Sequence, residues 1–420
     1  MQAMPKLVRW TVATLVIHTA VVAATSSALF FSLSGRAAFR VFGGNLRRGD
    51  VFDDVSRHYL PYAEKMVRGR EVPYRDFVVE YPILALPAFA VPYLVAPDPG
   101  RFPVAFAVEM MLCDAVLIAL IAATVAGREG PDRVVSRLAW TSLCVLGFGS
   151  LMVARYDLYP AALNFGGAML WSAGRPFAGG AILGLGALVK IFPALVAGPA
   201  FVRSFPTRSA VLGALGVAST TVLGLALWAS LAGRGLIDSF AYHAERGFEM
   251  GSVYSGVFGA IARLSGLELK FEYLHSSMEI TTPWAAGLVR FAMPIQAAAL
   301  LLVLWRARRS GPEEWPRYGA AVLLAFIVTG KVLSPQYLIW PMPFLAVMEG
   351  QIGRRARAIF LACCLTTALV FPWAQYGMTR LHPLALVLLN ARNGLLVLLL
   401  IVLLGPARPI RNPHPASASS

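Results

Sequence analysis

Charge is scarce in this sequence. Only 14% of its 420 residues are Asp, Glu, Lys or Arg, while 57% are hydrophobic, and the mean hydropathy is +0.64. A soluble domain carries roughly 25% charged residues, so the deficit excludes an ordinary soluble fold and points to a polytopic membrane protein. Cysteine is sparse too. Cys113, Cys144, Cys363 and Cys364 all lie in apolar runs with no His or Cys at ligand spacing, which argues against a disulfide framework or a zinc site. No repeat of about 20–50 residues is visible, and the only low-complexity piece is the tail "PASASS". No acidic triad has the look of a metal site, so neither a metal nor a cofactor is expected.

The charge that is present is placed with a pattern. The formal net charge is +15, but the Arg residues sit mostly in short gaps between apolar runs, the distribution that orients spans in a bilayer rather than one that binds nucleic acid. The gaps "GREGPDRVVSR", "RSFPTR", "WRARRSGPEEWPR" and "EGQIGRRAR", with the tail "GPARPIRNP", are the Arg-rich ones and are expected to face the cytoplasm.

The run Leu7–Leu33 follows Lys6. It is too long for the apolar core of a cleaved signal peptide and reads as a first transmembrane helix. Eleven further apolar runs lie between residues 83 and 404, and the long polar interruptions are 34–82 and 233–285. All Arg-rich gaps fall on one side if 83–97, with two internal prolines, embeds without crossing, and if 177–202, interrupted by Lys190, forms a hairpin of two short helices. The expectation is a single integral membrane domain over 1–420. It is an all-α bundle of about 12 transmembrane helices, with small helices in the first extracytoplasmic loop (34–82). The second extracytoplasmic loop is 233–285, and the tail 405–420 is cytoplasmic. This arrangement brings Arg155, Asp157, Lys190 and Lys331 to the same side as the acidic first loop. Ionisable residues at bilayer depth usually line a polar cavity, because an unpaired charge there costs several kcal/mol.

The first loop holds seven acidic residues within "GDVFDDVSRHYLPYAEKMVRGREVPYRDFVVEYP". A carboxylate beside a cationic cluster at a membrane surface suits transfer of a group from an anionic lipid carrier. The carboxylate takes a proton from the acceptor hydroxyl, and the cations stabilise the departing phosphate. Asp54 is the first choice as base. It immediately precedes a stretch in which Val55, Tyr59, Tyr62 and Met66 recur at helical spacing. Asp at the head of a helix is also a common N-cap. Asp53 is second, and Asp50 stays in the set.

That loop resembles the Asp…Tyr-x-x-Tyr-Ala…Gly-x-x-Pro-Tyr-x-Asp-Phe-x-x-Glu-Tyr-Pro signature of bacterial GT-C glycosyltransferases. The nearest group is glycosyltransferase family 87, the polyprenol-phosphate-mannose-dependent mannosyltransferases. "RYDLYPAAL", "GLGALVKIFPALV", "YHAERGFEMGSV" and "KVLSPQYLIWPMPFL" follow in order and carry the resemblance to about residue 345. Several carboxylates stand where the family needs one base, and the family's "EYPP" is "EYPI" here.

The resemblance implies a GT-C bundle in a bacterial plasma membrane with its active site extracytoplasmic. It implies transfer of a mannosyl residue from a polyprenyl-phosphate-linked sugar to a glycolipid or lipoglycan acceptor, with membrane lipids as surroundings. On the donor side, Lys190 and Lys331 are expected at the carrier phosphate, with Arg155 and Asp157 nearby. Arg246 can grip a phosphate bidentately, and it shares a spacing of three with His243 and Glu249. Pro335 breaks a helix and turns Ser334 and Gln336 toward the sugar. Asp76, Glu80 and Tyr81 complete the first-loop set. Arg392 lines the lipid groove or packs against a neighbouring helix. The rival class is a secondary transporter of an anionic or sugar-like solute, which would also bury charges and break helices. No inverted repeat is evident, and both large loops lie on one side.

Overall fold

A computed structural model of the protein describes residues 3–42, 51–233, 235 and 245–406. Regular structure among them is nearly all helical, as apolar segments that must satisfy their own backbone require. One exception was not expected: Phe271–Leu274 and Ser277–Ile280 form an antiparallel hairpin within the second long loop.

Five helices among the described residues are long and apolar enough to cross a membrane, not about 12. They are Val8–Thr25, Phe102–Glu129, Arg208–Ala232, Pro283–Arg308 and Pro383–Leu404. The other apolar runs hold shorter pieces. Val134–Val145 has 12 residues, Leu158–Ser172 has 15, and 335–348 holds two five-residue pieces, the 3-10 helix Pro335–Ile339 and the helix Met342–Ala346. A helix of 15 residues is roughly 22 Å long, short of a ~30 Å hydrocarbon core. Run length counts apolar residues but does not see the Pro, Gly and Ser that end a helix inside the run. The first run is a case. It divides into Ala3–Thr25 and Ala28–Phe42, with the Ser27 hydroxyl accepting the N–H of Phe30 at 3.1 Å. Likewise 83–97 contains a helix of nine residues, Pro87–Val95, with Pro92 inside it.

The run 177–202 divides at Lys190 into Pro176–Val189 and Phe192–Ser204. Pro193 near the start of the second helix has no N–H to continue the first, and Lys190 is extended (φ −159°, ψ 140°). The Pro176–Val189 helix lies against Arg208–Ala232 with almost nothing between the backbones. A Cβ on Gly180 would come 2.1 Å from the carbonyl oxygen of Gly213, and one on Gly224 would meet Leu188 at 2.0 Å. These pairings advance together along both chains, so the two helices run parallel. Both end where Lys190 and the second long loop begin.

The short helices therefore carry the chain between two ends of the molecule. At one end the Arg-rich gaps meet. Arg128 donates to the Glu313 carbonyl, Arg203 to the Pro312 carbonyl, and Arg317 to the carbonyls of Leu403 and Gly405. The opposite end holds Asp54, Arg155, Asp157, Lys190, Arg246 and Arg392 around one cavity. The chain is an integral multi-pass membrane protein.

Candidate active site

The cavity is about 610 Å³. The first loop supplies one wall through a π-helical turn, Val55–Tyr59, that continues into the helix Leu60–Val67. Val55, Tyr59 and Ala63 are buried on its inner face, which leaves Asp53, Asp54 and Arg57 on the cavity side. Asp54 makes no capping hydrogen bond to the helix it precedes. Its carboxylate instead meets the Arg155 guanidinium at 2.9 Å. Arg155 also donates to the Val51 carbonyl at 2.8 Å, and so ties the loop to the bundle. Asp53 pairs with the largely exposed Arg57 at 2.7 Å. Tyr59 and Tyr81 stack among Phe89 and Tyr156. Burial first, and nearby negative groups second, push both phenols well above their ordinary value, so they are neutral hydroxyls at any working pH.

Deeper in, Lys190 and Asp157 form a pair. The Lys190 ammonium lies 2.8 Å from Asp157 Oδ1, and the Trp340 indole N–H donates to the same oxygen at 2.7 Å. Asp157 Oδ2 is buried and has no hydrogen-bond partner among the described residues. The ammonium also faces the rings of Tyr156, Tyr337 and Trp340 at 4.8, 5.4 and 5.4 Å, an aromatic surround that holds a cation without neutralising it. Trp340 is itself stacked between Phe192 (3.9 Å) and Tyr337 (4.1 Å). The ring that orients Asp157 has little freedom to turn.

The far wall comes from the second loop and the break near Pro335. Glu249 links the two: its carboxylate accepts the Leu333 N–H at 2.7 Å and the Ser334 hydroxyl at 3.1 Å, and its own N–H donates to the Lys331 carbonyl. Burial raises the Glu249 carboxyl above its usual range, opposed by the charge of Arg246. Arg246 donates to Ser277 Oγ at 2.9 Å and lies 3.5 Å from the buried Glu279 carboxylate. Arg392 donates one N–H to the Gly251 carbonyl at 2.8 Å. Its Nε and Nη1 are buried beside the cavity with no hydrogen-bond partner among the described residues.

Of the residues singled out in the sequence, Asp53, Asp54, Glu80, Tyr81, Arg155, Asp157, Lys190, Arg246, Glu249, Ser334, Gln336 and Arg392 all line this cavity. Lys331 is not among its lining residues, although burial and then the nearby charge of Arg246 lower its ammonium. Asp76 stands apart on the exposed surface. Arg75 is bonded to its carboxylate at 2.9 Å, and with the Val72 N–H holds it at about 2, a turn-stabilising arrangement. Asp50 and His243 lie outside the described residues. Among the described residues no group of three or more His, Cys, Asp or Glu side chains could hold a metal ion.

Sequence reasoning missed Arg57, Tyr273, His275, Ser276, Tyr337 and Trp340, all on the cavity wall. For Trp340 a signal existed, since an indole N–H inside an apolar run needs an acceptor. For His275 and Ser276 none did, because the hairpin that carries them has no Gly or Asn at its turn.

Comparison with known proteins bears on this site. Residues 77–335, well over half of the chain, match glycosyltransferase family 87. Among solved structures, the crystal structure of ArnT from Cupriavidus metallidurans bound to undecaprenyl phosphate is similar over 90% of this chain and 76% of that one. The sequence identity is 14% and the TM-score 0.45. No curated protein matches the chain.

Proposed function

The chain belongs to glycosyltransferase family 87, and we propose that it transfers a mannosyl residue from a polyprenyl-phosphate-linked donor to a glycolipid or lipoglycan acceptor on the extracytoplasmic face of a bacterial plasma membrane. Family membership sets the transporter reading aside. What supports the finer reading is the meeting, in one cavity, of the acidic first loop with Arg155, Lys190, Arg246 and Arg392, at the end opposite the Arg-rich gaps. By the positive-inside tendency those gaps mark the cytoplasmic side, so the cavity opens on the other.

In this proposal Asp54 is the general base. It takes the proton of the acceptor hydroxyl as that oxygen bonds to the anomeric carbon. The bond from the anomeric carbon to the phosphate oxygen breaks, and the electron pair leaves on the carrier phosphate. The charge that develops there is met by basic side chains held ready in a partly enclosed site. The resting contact of Asp54 with Arg155 fits such a cycle. An incoming phosphate competes for the guanidinium and releases the carboxylate to act as base. Asp157 has the complementary task of holding the Lys190 ammonium in place at depth. Asp53 and Asp50 are the other candidates for the base, and mannose is the donor sugar by family resemblance.

The test uses vesicles with the extracytoplasmic face exposed. They should move radiolabelled mannose from polyprenyl-phosphate-mannose onto a lipid acceptor. Counterflow of a solute with no sugar transfer would sink the proposal. Lipidomics of a deletion strain should then show the accumulating precursor, which identifies the acceptor.

A further inference from the structure

The hairpin of the second loop has an improbable tip. Its register pairs Leu274 with Ser277, so the connection is the two residues His275 and Ser276. Both have positive φ, 45° and 57°, the shape of a two-residue turn that ordinarily selects Asn-Gly. For residues with ordinary side chains each such position is strained, and strain of this kind concentrates at functional sites.

The turn is also braced from below. The buried Glu279 carboxylate accepts the Gly247 N–H at 2.7 Å and the Ser277 hydroxyl at 3.0 Å, and the His275 ring nitrogen Nδ1 lies 3.3 Å from it. The braced tip lines the cavity together with Tyr273. Ser276 and Tyr273 are exposed, as is Arg57 across the opening, so the tip stands at the outer rim. Lys190 and Arg392 are more enclosed.

We infer that His275 and Ser276 form an acceptor-binding rim that hydrogen-bonds a polyhydroxylated headgroup entering from the aqueous side. This rests on the glycosyl-transfer reading above. A turn needed only to join two strands would be better made of Asn-Gly, and would place no imidazole and no hydroxyl at the mouth. A lipid carrier whose phosphate is held by the inner cations leaves the rim to the other substrate.

The double replacement His275→Asn with Ser276→Gly separates the two roles, because it supplies the favoured turn while removing the imidazole and the hydroxyl. With full-length protein in vesicles, polyprenyl-phosphate-mannose as donor and octyl mannoside as acceptor probe, acceptor KM should rise roughly five- to thirty-fold, the worth of one or two hydrogen bonds. Donor KM should not change, and the melting temperature should hold or rise. His275→Asn alone, which keeps the Ser276 hydroxyl, should show only part of the loss of the double variant.

An unchanged acceptor KM overturns the inference, and so does a rise in donor KM instead. A fall in melting temperature that tracks the loss assigns the tip to folding and also overturns it. If the unaltered protein transfers no sugar, the failure lies with the functional reading; if it transfers and the double variant matches it, only the rim is lost.

Discussion

The two ends of this molecule use the same cationic side chains in different ways. At the Arg-rich end the guanidinium groups donate largely to backbone carbonyls: Arg317 to Leu403 and Gly405, Arg357 to Leu345 and Met348, Arg203 to Pro312. The oxygens of Leu345, Met348, Leu403 and Gly405 close helices or follow them, where cations are favourable. At the cavity end the cations face carboxylates, Arg155 with Asp54, Lys190 with Asp157 and Arg246 with Glu279. A carbonyl contact cannot be handed to another anion without stranding a buried acceptor, whereas a carboxylate contact can be exchanged for a phosphate. By that measure the Arg-rich end is the more fixed, although Arg128, Arg137 and Arg317 also pair there with Glu349, Glu129 and Glu314, and the cavity end is the more exchangeable.

The sharpest break of that contrast is at Asp54. Asp54→Asn keeps the shape and removes the proton acceptor, so turnover should fall by roughly 10² or more, while donor binding is not weakened and tightens to the extent that the carboxylate competes for Arg155. Steady-state transfer together with a lipid-binding assay checks both. If Asp54→Asn stays active while Asp53→Asn is dead, the base has been misassigned; if neither matters, Asp50 is next.

Lys190 comes second. Lys190→Met keeps the stem and drops the charge, and transfer should fall roughly ten- to a hundred-fold, as loss of a charge-assisted hydrogen bond implies. The single change also leaves the buried Asp157 without its cation, a destabilising step. Lys190→Met with Asp157→Asn should therefore recover melting temperature but not activity. Recovery of both would reduce the pair to a packing device.

Arg317 probes the other end. Arg317→Ala should lower stability by about 1–3 kcal/mol by leaving buried carbonyls unmet, while transfer per folded molecule is unchanged. A specific loss of turnover there would erase the distinction between the ends.

Glu249 sits between the two behaviours, since it is at the cavity but bonds backbone and hydroxyl donors. Glu249→Ala should cost about 1–3 kcal/mol. Glu249→Gln should be milder, because burial already favours the neutral carboxyl. Thermal unfolding of both variants gives the comparison.

The smallest effect is expected at Asp76, exposed and outside the cavity. Asp76→Asn should alter transfer by less than about two-fold, in keeping with the small worth of exposed ion pairs.

Part of this contrast was legible in the sequence. The spacing of Val55, Tyr59, Tyr62 and Met66 marks the inner face of the loop helix, and Val55 and Tyr59 are buried there. Lys190 beside Pro193 marks a break in an apolar run, because a proline cannot continue the preceding helix and an ammonium cannot rest in lipid. The Arg-rich gaps meet at one end, as a bias in loop charge implies. The rest was hidden for physical reasons. Hydropathy does not register whether a run holds one long helix or two short ones, so five long spans stand among the described residues where about 12 crossings were expected. Asp76 and Glu80 lie four residues apart in one motif, yet a turn sends the first to the surface. The His275–Ser276 tip has a conformation its residues do not favour, and no local rule finds it.

The glycine contacts between Pro176–Val189 and Arg208–Ala232 carry a mechanical consequence. Where backbones come this close, as at Gly180 and Gly216, and the remaining gaps are filled by single side chains such as Leu188 and Thr220, there is little room for one helix to slide past the other. Lys190 at the top of this column is thereby held at a fixed height above the Arg-rich end. A bilayer of different thickness cannot be met by adjusting that height, and the lipid must stretch or thin around the protein instead. The reach from the membrane surface to the cavity then depends on the acyl chains that surround the enzyme, and the lipid itself becomes part of the distance over which a carrier presents its sugar.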